Sequence, residues 1–463
     1  MLKIINIYCN TLTFIETYNL IMKKIIIIFC VLIAINTHAQ DKKWTLKECV
    51  EHALENNISV KQSELDLELS EIDKKDAIGN FLPSLNASTS YSWSRGLNQD
   101  PVTFSAVNAT TNTFSGGLSS GFDIYRGRRN LNQLHRSNLE ILANQYQLDN
   151  MKDDISLLIA NSFLQILFNK EQLKVLNAQQ LVSEQEFNRT KDLVEAGSLP
   201  KGDLLEIQAT IATQEQQIVN AENAILLSRI NLAQTLFISN YENFDIVDTD
   251  YSVPPTVILS QSPQAIVAKA KETRYDIKIA ENNTKIAEYN LKIAKGALQP
   301  TLTGAYSFGT NYFTSELFDT PAFETQISDN KSHNISVNLN IPIFNGFSGK
   351  NNVKRNQVSL ERSKNQLEQT SLDLETKVYQ AFNDTKGALK AYEAAQKTLD
   401  AREQAFDYSK ERYNVGLLNA FDYSQSQNGF EAAQSEVIRT KYDYIFKLKV
   451  LEFYFGIPIT DIN

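Results

Sequence analysis

The chain has 463 residues, of which 21% are charged and 42% apolar, and its formal net charge is −9. That length allows two or three ordinary domains or one long, internally repeated one. The composition excludes wholesale disorder, and the acidic balance without a basic block argues against a nucleic-acid partner.

The N-terminal segment reads as an export signal. Met22-Lys23-Lys24 precedes an apolar run over residues 25–35, and Thr37-His38-Ala39 follows it. A basic start, a short apolar stretch and a small-x-small site predict cleavage after Ala39, so 1–39 is expected to be a leader whose true start is Met22. The run is too short to cross a bilayer as a helix. Cleavage removes three lysines and one glutamate, which takes the charge to −11, and leaves Cys49 as the only cysteine. No intramolecular disulfide can then form. Cys30 follows Ile27-Ile28-Phe29 rather than a small residue, so no acyl anchor is expected. No later apolar stretch reaches the roughly 18 residues of a membrane helix, and any membrane passage must use a closed barrel.

From residue 40 onward one pattern occurs twice. Phe122-Asp123-Ile124-Tyr125-Arg126-Gly127 matches Ile341-Pro342-Ile343-Phe344-Asn345-Gly346 at an offset of 219, which also pairs Phe163 with Phe382, Gly197 with Gly416 and Asp203 with Asp422. Upstream, Leu82-Pro83-Ser84-Leu85 matches Gln299-Pro300-Thr301-Leu302 at an offset of 217, as Ala53 does Ala270. The expected copies are 40–238 and 264–463, joined by a linker over 239–263 that carries Pro254-Pro255. Each copy reads as helix, strand, loop, strand, long helix, turn and shorter helix.

In the first copy, strands are expected at about 84–95 and 112–125, and a long helix at 128–196. The second copy repeats this at 301–310, 333–343 and 347–415. Between Arg128 and Ala196 there is neither proline nor glycine, and Ile155, Leu158, Ile159, Phe163, Ile166 and Leu167 recur at helical spacing. Such a helix is about 100 Å long and persists only along a bundle or coiled coil. Gly197-Ser198-Leu199-Pro200 breaks the first long helix and Val415-Gly416-Leu417-Leu418 the second, which puts hairpin tips at 197–202 and 416–420.

The strands alternate. From Leu85 to Ser94 the odd positions are the more apolar set and the even ones are serine or asparagine, and from Asn334 to Ile343 the alternation repeats with larger residues. Runs of about 10 residues suit tilted membrane strands, and an uncharged polar face suits a wet lumen. Tyr91, Trp93, Tyr306 and Phe308 are the candidates for an aromatic girdle against outer-membrane lipid. Four strands cannot close a barrel, whereas three chains would supply 12.

No phosphate-binding loop, His-Glu-x-x-His or Gly-x-Ser-x-Gly occurs. His52, His135 and His333 fall in different elements, and Met151 is the only methionine beyond the leader. No catalytic site, metal site or cofactor is therefore expected, and a methionine relay for soft metals lacks material.

The order and duplication of these segments resemble the TolC family of outer-membrane efflux proteins, carried by residues 45–57, Phe81-Leu82-Pro83-Ser84-Leu85, Ile341-Pro342-Ile343-Phe344-Asn345-Gly346 and Arg412-Tyr413-Asn414-Val415-Gly416. The resemblance implies a mixed α+β homotrimer with internal duplication. A 12-stranded β-barrel sits in the outer membrane, and a long antiparallel α-helical, coiled-coil tunnel crosses the periplasm. It implies a passive exit duct of a tripartite efflux or type I secretion system, joined through a periplasmic adaptor (membrane fusion) protein to an inner-membrane transporter. The tip residues Gly197, Leu199, Pro200, Tyr413, Gly416 and Leu418 are the candidates for adaptor contact.

The resemblance also implies a gate with acidic rings just after the hairpin glycine. Asp422 falls at one such position; the next, often acidic in relatives, is Gln425, and the first copy offers Asp203 and Glu206. Leu418 replaces an arginine that ties the closed tip in some relatives. Copies of Asp203 or Asp422 around one axis would attract cations and repel anions. Either aspartate could instead serve the start of its helix. The competing reading of the whole chain is a periplasmic coiled-coil adaptor or scaffold without a pore, which would carry charged outer strand faces.

Overall fold

The computed structural model describes residues 43–248, 253 and 257–459. The expected leader and its cleavage site lie outside the described residues.

In chain order the elements are β1 (Lys43–Trp44), α1 (Leu46–Asn56), α2 (Ile58–Gly79), β2 (Asn86–Gln99), β3 (Ala106–Arg126), α3 (Arg129–Glu195) and α4 (Lys201–Thr235). Then come β4 (Asp245–Ile246), α5 (Pro263–Thr273), α6 (Tyr275–Gly296), β5 (Thr301–Ser315), α7 (Phe323–Asp329), β6 (Ser332–Asn340), α8 (Ser348–Asn414) and α9 (Ala420–Phe455). The duplication is visible in the lengths: α1 and α5 have 11 residues each, α2 and α6 have 22, and α3 and α8 have 67.

Local chemistry sets these boundaries. Asn57 caps α2 by accepting from the Ser59 amide at 2.8 Å, and Ser262 caps α5 ahead of Pro263. Each strand-to-long-helix corner uses two consecutive left-handed residues, Gly127 and Arg128 at φ 60° and 59°, and Gly346 and Phe347 at 61° and 65°. The long helices end alike. The Ser198 amide donates to Leu193 O and the Gly197 amide to Val194 O; Leu417 donates to Arg412 O and Gly416 to Tyr413 O. This double bond with a left-handed glycine satisfies the last carbonyls and reverses the chain. The first copy ends α4 with the same pattern, but on Phe237 at φ 60°, where the second copy has Gly456. A bulky residue there costs on the order of 1–2 kcal/mol. Phe237→Gly is accordingly expected to raise the denaturant midpoint, and an unchanged or lowered midpoint would show that the ring's contacts outweigh the backbone strain.

The four long strands form one antiparallel sheet in the order β2-β3-β5-β6. β3 spans the join between copies by pairing with β5, with Ser119 opposite Ser307. The register puts Tyr91, Phe114 and Tyr312 in one row and Leu118, Phe308 and His333 in another. One face therefore carries aromatic and aliphatic side chains. The other carries Ser88, Ser90, Ser92, Thr113, Ser115, Ser307, Ser336 and Asn338, laced by Ser90–Ser115 and Ser94–Thr111 hydroxyl bonds of 2.7 Å each. Among the described residues β2 and β6 each have one strand neighbour, so the sheet has two open edges.

Several spans differ from expectation. β2 and β3 run to Gln99 and from Ala106, beyond 95 and 112, because the Asn- and Thr-rich ends keep pairing where alternation fades. β5 continues to Ser315 rather than 310. β6 stops at Asn340 rather than 343, since Pro342 has no amide to give a ladder. The loop before β6 holds α7, whose buried Gln326 both accepts from the Phe313 amide and donates to its carbonyl, at 3.0 and 2.9 Å. The segment read as a linker contains β4, which pairs in parallel with β1.

Packing also cuts across the sequence copies. Among the described residues, one compact unit is 43–53 with 159–248, and the other is 54–158 with 253 and 257–459. The first copy is thus shared between units because α3 runs through both. The second unit's main core joins Ile266, Ile277, Leu374, Val378, Tyr444 and Leu448 from α5, α6, α8 and α9.

Candidate functional site

In the first unit, α3 ends at Glu195 and α4 starts at Lys201. Pro200 stands at the cap position and offers no side-chain bond, while Asp203 lies in the first turn with its amide 3.1 Å from Pro200 O. A carboxylate there favours the helix start through the local dipole without being the cap itself. Asp203 and Glu206 are half-buried, as is Leu199, whereas Pro200 and Gly197 are exposed. Below them the hairpin buries polar side chains, including Ser183, Glu186, Thr190 and Gln214.

The same unit ties the chain after α4 to the middle of α3. The Lys170 ammonium lies 2.7 Å from Asp245 and 2.6 Å from Asp248, and Lys43 reaches Asp248 at 2.8 Å. Arg229 donates to Phe244 O at 2.6 Å. Burial raises the Asp248 pKa, but hydrogen bonds from Lys170 and Lys43 outweigh it, and the carboxyl sits below its usual range. Nothing in the sequence pattern marked this cluster, because its members are far apart in the chain.

In the second unit, Asn419 caps α9. Its side-chain oxygen accepts from the Asp422 amide at 2.8 Å, and its nitrogen donates to the Asp422 carboxylate at 2.9 Å. Asp422 is therefore oriented by a reciprocal cap and remains exposed, and Gln425 is exposed one turn further. Tyr413, expected at the contact surface, is instead buried. It stacks on Tyr423 at 4.7 Å, and Phe406 stacks on Phe430 at 5.4 Å. Phe406, Tyr413, Ala420 and Tyr423 form the hairpin core, with Leu418 packed against it. The apolar groups that the tip does present are Val415, Leu417 and Phe421. Sequence reasoning missed them because breakers, not exposed side chains, defined the tip.

The four girdle candidates do not share a row. Tyr91 bonds Asn112 through its hydroxyl at 3.0 Å, and Trp93 lies opposite Asn112. Phe308 lies opposite His333, while Tyr306 lies opposite Ile335 and places its hydroxyl 2.9 Å from His333 Nδ1. Phe114 and Tyr312, in the Tyr91 row, pack on Phe323 of α7 at 5.6 and 5.0 Å.

Among the described residues, no three histidine, cysteine, aspartate or glutamate side chains converge as a metal site, and no helix is long and apolar enough to cross a membrane.

Known proteins share this arrangement. The family model described as "Outer membrane efflux protein" matches residues 49–236 and 266–456. The pyoverdine export outer membrane protein OpmQ of Pseudomonas aeruginosa is 26% identical over 380 residues, covering 78% of this chain and 74% of OpmQ. The cation efflux system protein CusC of Escherichia coli O157:H7 is 22% identical, over 86% of this chain and 82% of CusC. The crystal structure of the outer membrane protein VceC from Vibrio cholerae superposes with a TM-score of 0.75 at 16% identity, covering 89% of this chain and 96% of VceC.

Proposed function

The chain belongs to the outer membrane efflux protein family, and on that premise we propose that three copies form a passive duct whose hairpin tips carry a carboxylate gate. The observation that carries the reading is the sheet: one mainly apolar face, one face rich in serine, threonine and asparagine, and two open edges. Open edges are not tolerated in lipid, so the sheet must close on further copies. Three copies give 12 strands and a lumen wide enough to stay wet, whereas eight strands leave an interior that side chains fill. A pore-free adaptor or scaffold would not need this apolar sheet face.

No chemistry is required of the duct. A periplasmic adaptor at the tips and an inner-membrane transporter behind it would supply cargo and energy. Val415, Leu417 and Phe421 are the apolar groups we assign to adaptor contact, beside Gly416. Relatives named for pyoverdine export and for cation efflux match at similar identity. Cargo choice therefore belongs to the pump rather than to this subunit.

Asp422 is exposed and held by Asn419, which favours its projection from the tip as a fixed charge. A ring of such charges selects cations. The purified protein in a planar bilayer is expected to conduct in small, cation-preferring steps, and Asp422→Asn to reduce that preference. An unchanged reversal potential in a salt gradient would remove Asp422 from the gate. No current from a verified trimer, even after the tip is loosened, would reject the duct.

A further inference from the structure

We infer that the sheet-facing ends of α6 and α8 form a docking site for the headgroups of anionic phospholipids, held by Lys292, Lys295, Lys350 and Lys354. The inference rests on the duct reading above, which puts the sheet in a bilayer, and adds which lipid its periplasmic border selects.

Two close contacts gather these cations. Gly296, at the end of α6, and Gly127, at the corner before α3, are both buried, so close that a Cβ on either would overlap the other's carbonyl group. Their chain neighbours Lys295 and Arg128 are exposed. Beyond Gly296, Leu298 lies so near Gly349 of α8 that a Cβ there would overlap it. Lys350 follows Gly349 and is exposed, as are Lys292 and Lys354 one turn further from the sheet. Among the described residues none of the four lysines has an ion pair, whereas Arg126 is paired with Asp123 and Lys364 with Glu361.

All four face the same way. α5 adds a layer to the helical wall: Ile277 of α6 shares a core with its Ile266 and Val267, and Glu375 of α8 lies 3.2 Å from its Lys271. In a closed ring that second layer has to be outside, since inside it would fill the lumen. At about 100° per residue, Lys295 is in line with Ile277, and Lys350 is about 20° from Glu375. Lys292 and Lys354 are each about 60° away from the same two markers. The lysines are therefore on the outer side of the wall, towards lipid and not towards the channel.

Their level fits a headgroup layer. All four lie within the last or first seven residues of their helices, which is about 10 Å of rise. The headgroup layer of a bilayer is about 5–8 Å on each side. Between the lysines and the sheet the surface is apolar, with Ile343, Phe344 and Phe347 at 93%, 75% and 61% exposure. Lysine stems can lie along such a collar while their ammonium groups reach the polar layer.

The dipole of α8 argues that its lysines serve something other than the helix. A helix start favours acids and disfavours cations. α4 and α9 follow that rule, with Asp203 and Asp422 in their first turns. α8 has no acid before Glu361, yet carries Lys350 and Lys354. A lipid phosphate beside them supplies the missing negative charge. The whole chain carries −9, so an excess of cations at this level is local and not a property of its surface at large.

The test uses the full chain in dodecyl maltoside, with native mass spectrometry reading the lipids retained on the trimer. Phosphatidylglycerol is expected to be retained about fivefold or more over phosphatidylcholine, and added salt during loading should erase the preference. The combined Lys292→Gln, Lys295→Gln, Lys350→Gln and Lys354→Gln protein is expected to hold both lipids alike, and arginine at the same four positions to keep the preference. Lys285→Gln with Lys364→Gln, farther along the same helices, should match the parent. Should the fourfold glutamine protein not assemble, Lys295→Gln with Lys350→Gln carries the same test and is expected to cut the preference at least by about half. Equal retention in the parent, or a preference that survives the glutamine substitutions, would overturn the site and leave the duct intact. A monomer that stays dissolved without detergent would overturn the duct reading itself.

Discussion

Replacing Arg274 by alanine is expected to lower the apparent unfolding free energy by about 2–3 kcal/mol, below the full penalty for a buried ion pair because the Asp153 side chain keeps 35% of its exposure. The residue joins α5 to α6, and its guanidinium is buried. One nitrogen lies 2.9 Å from an Asp153 carboxylate oxygen, another 3.3 Å from the Asn150 side-chain oxygen, and the group sits 4.1 Å above the Phe453 ring. Alanine would remove the charge and the flat apolar contact together. Arg274→Lys should recover part of the loss, since lysine keeps the charge without the planar fork. The pH dependence has a definite sign. Burial holds the Asp153 carboxyl above its ordinary range even though Arg274 opposes the shift. An acid whose folded pKa is raised destabilises the fold while ionised, and that cost is relieved as pH falls through the folded value. Without Arg274 the shift grows, so the gap between variant and parent should be widest at neutral pH and narrow as pH falls towards the ordinary carboxylate range. Chemical denaturation followed by circular dichroism at several pH values measures it. A loss under about 1 kcal/mol would mean that the pair behaves as a surface bridge.

Replacing Tyr423 by alanine is expected to cost about 3–5 kcal/mol locally, as other buried aromatic truncations do. The ring is fully buried, between Tyr413 at 4.7 Å and Phe406 at 5.6 Å. Because this cluster lies directly beneath Gly416, the loss should appear as a loosened tip and not as general unfolding. Faster proteolytic cutting near residues 413–423 and larger single-channel steps are the expected readouts, with Tyr423→Phe close to the parent. An unchanged cutting pattern would show that the tip is held by other contacts.

Much of this architecture is legible in the sequence, for reasons that differ by element. The long helices announce themselves because proline is missing from both, and glycine too between Arg128 and Ala196, while apolar groups keep helical spacing. The strand faces are legible because the period of two separates serine from aromatic residues. What the sequence hides is whatever depends on partners distant in the chain. β4 is two residues long and exists only through β1. The Lys170, Asp245 and Asp248 cluster unites an α3 lysine with two aspartates more than 70 residues further on. Gln326 looks like any loop glutamine until its bonds to Phe313 are seen. At the tips, the glycines and first-turn aspartates were readable as local signals. Local signals do not tell which tyrosine is buried, and the Tyr413 ring packs inside the hairpin.

The tight approach of Gly296 to Gly127 has a consequence for assembly kinetics. Its partners are tethered by one polypeptide, so their encounter is a first-order event whose likelihood does not change with dilution. Joints between separate copies, by contrast, form only by collision and obey mass action. A dilution series that separates the copies should therefore leave α6 locked against α3.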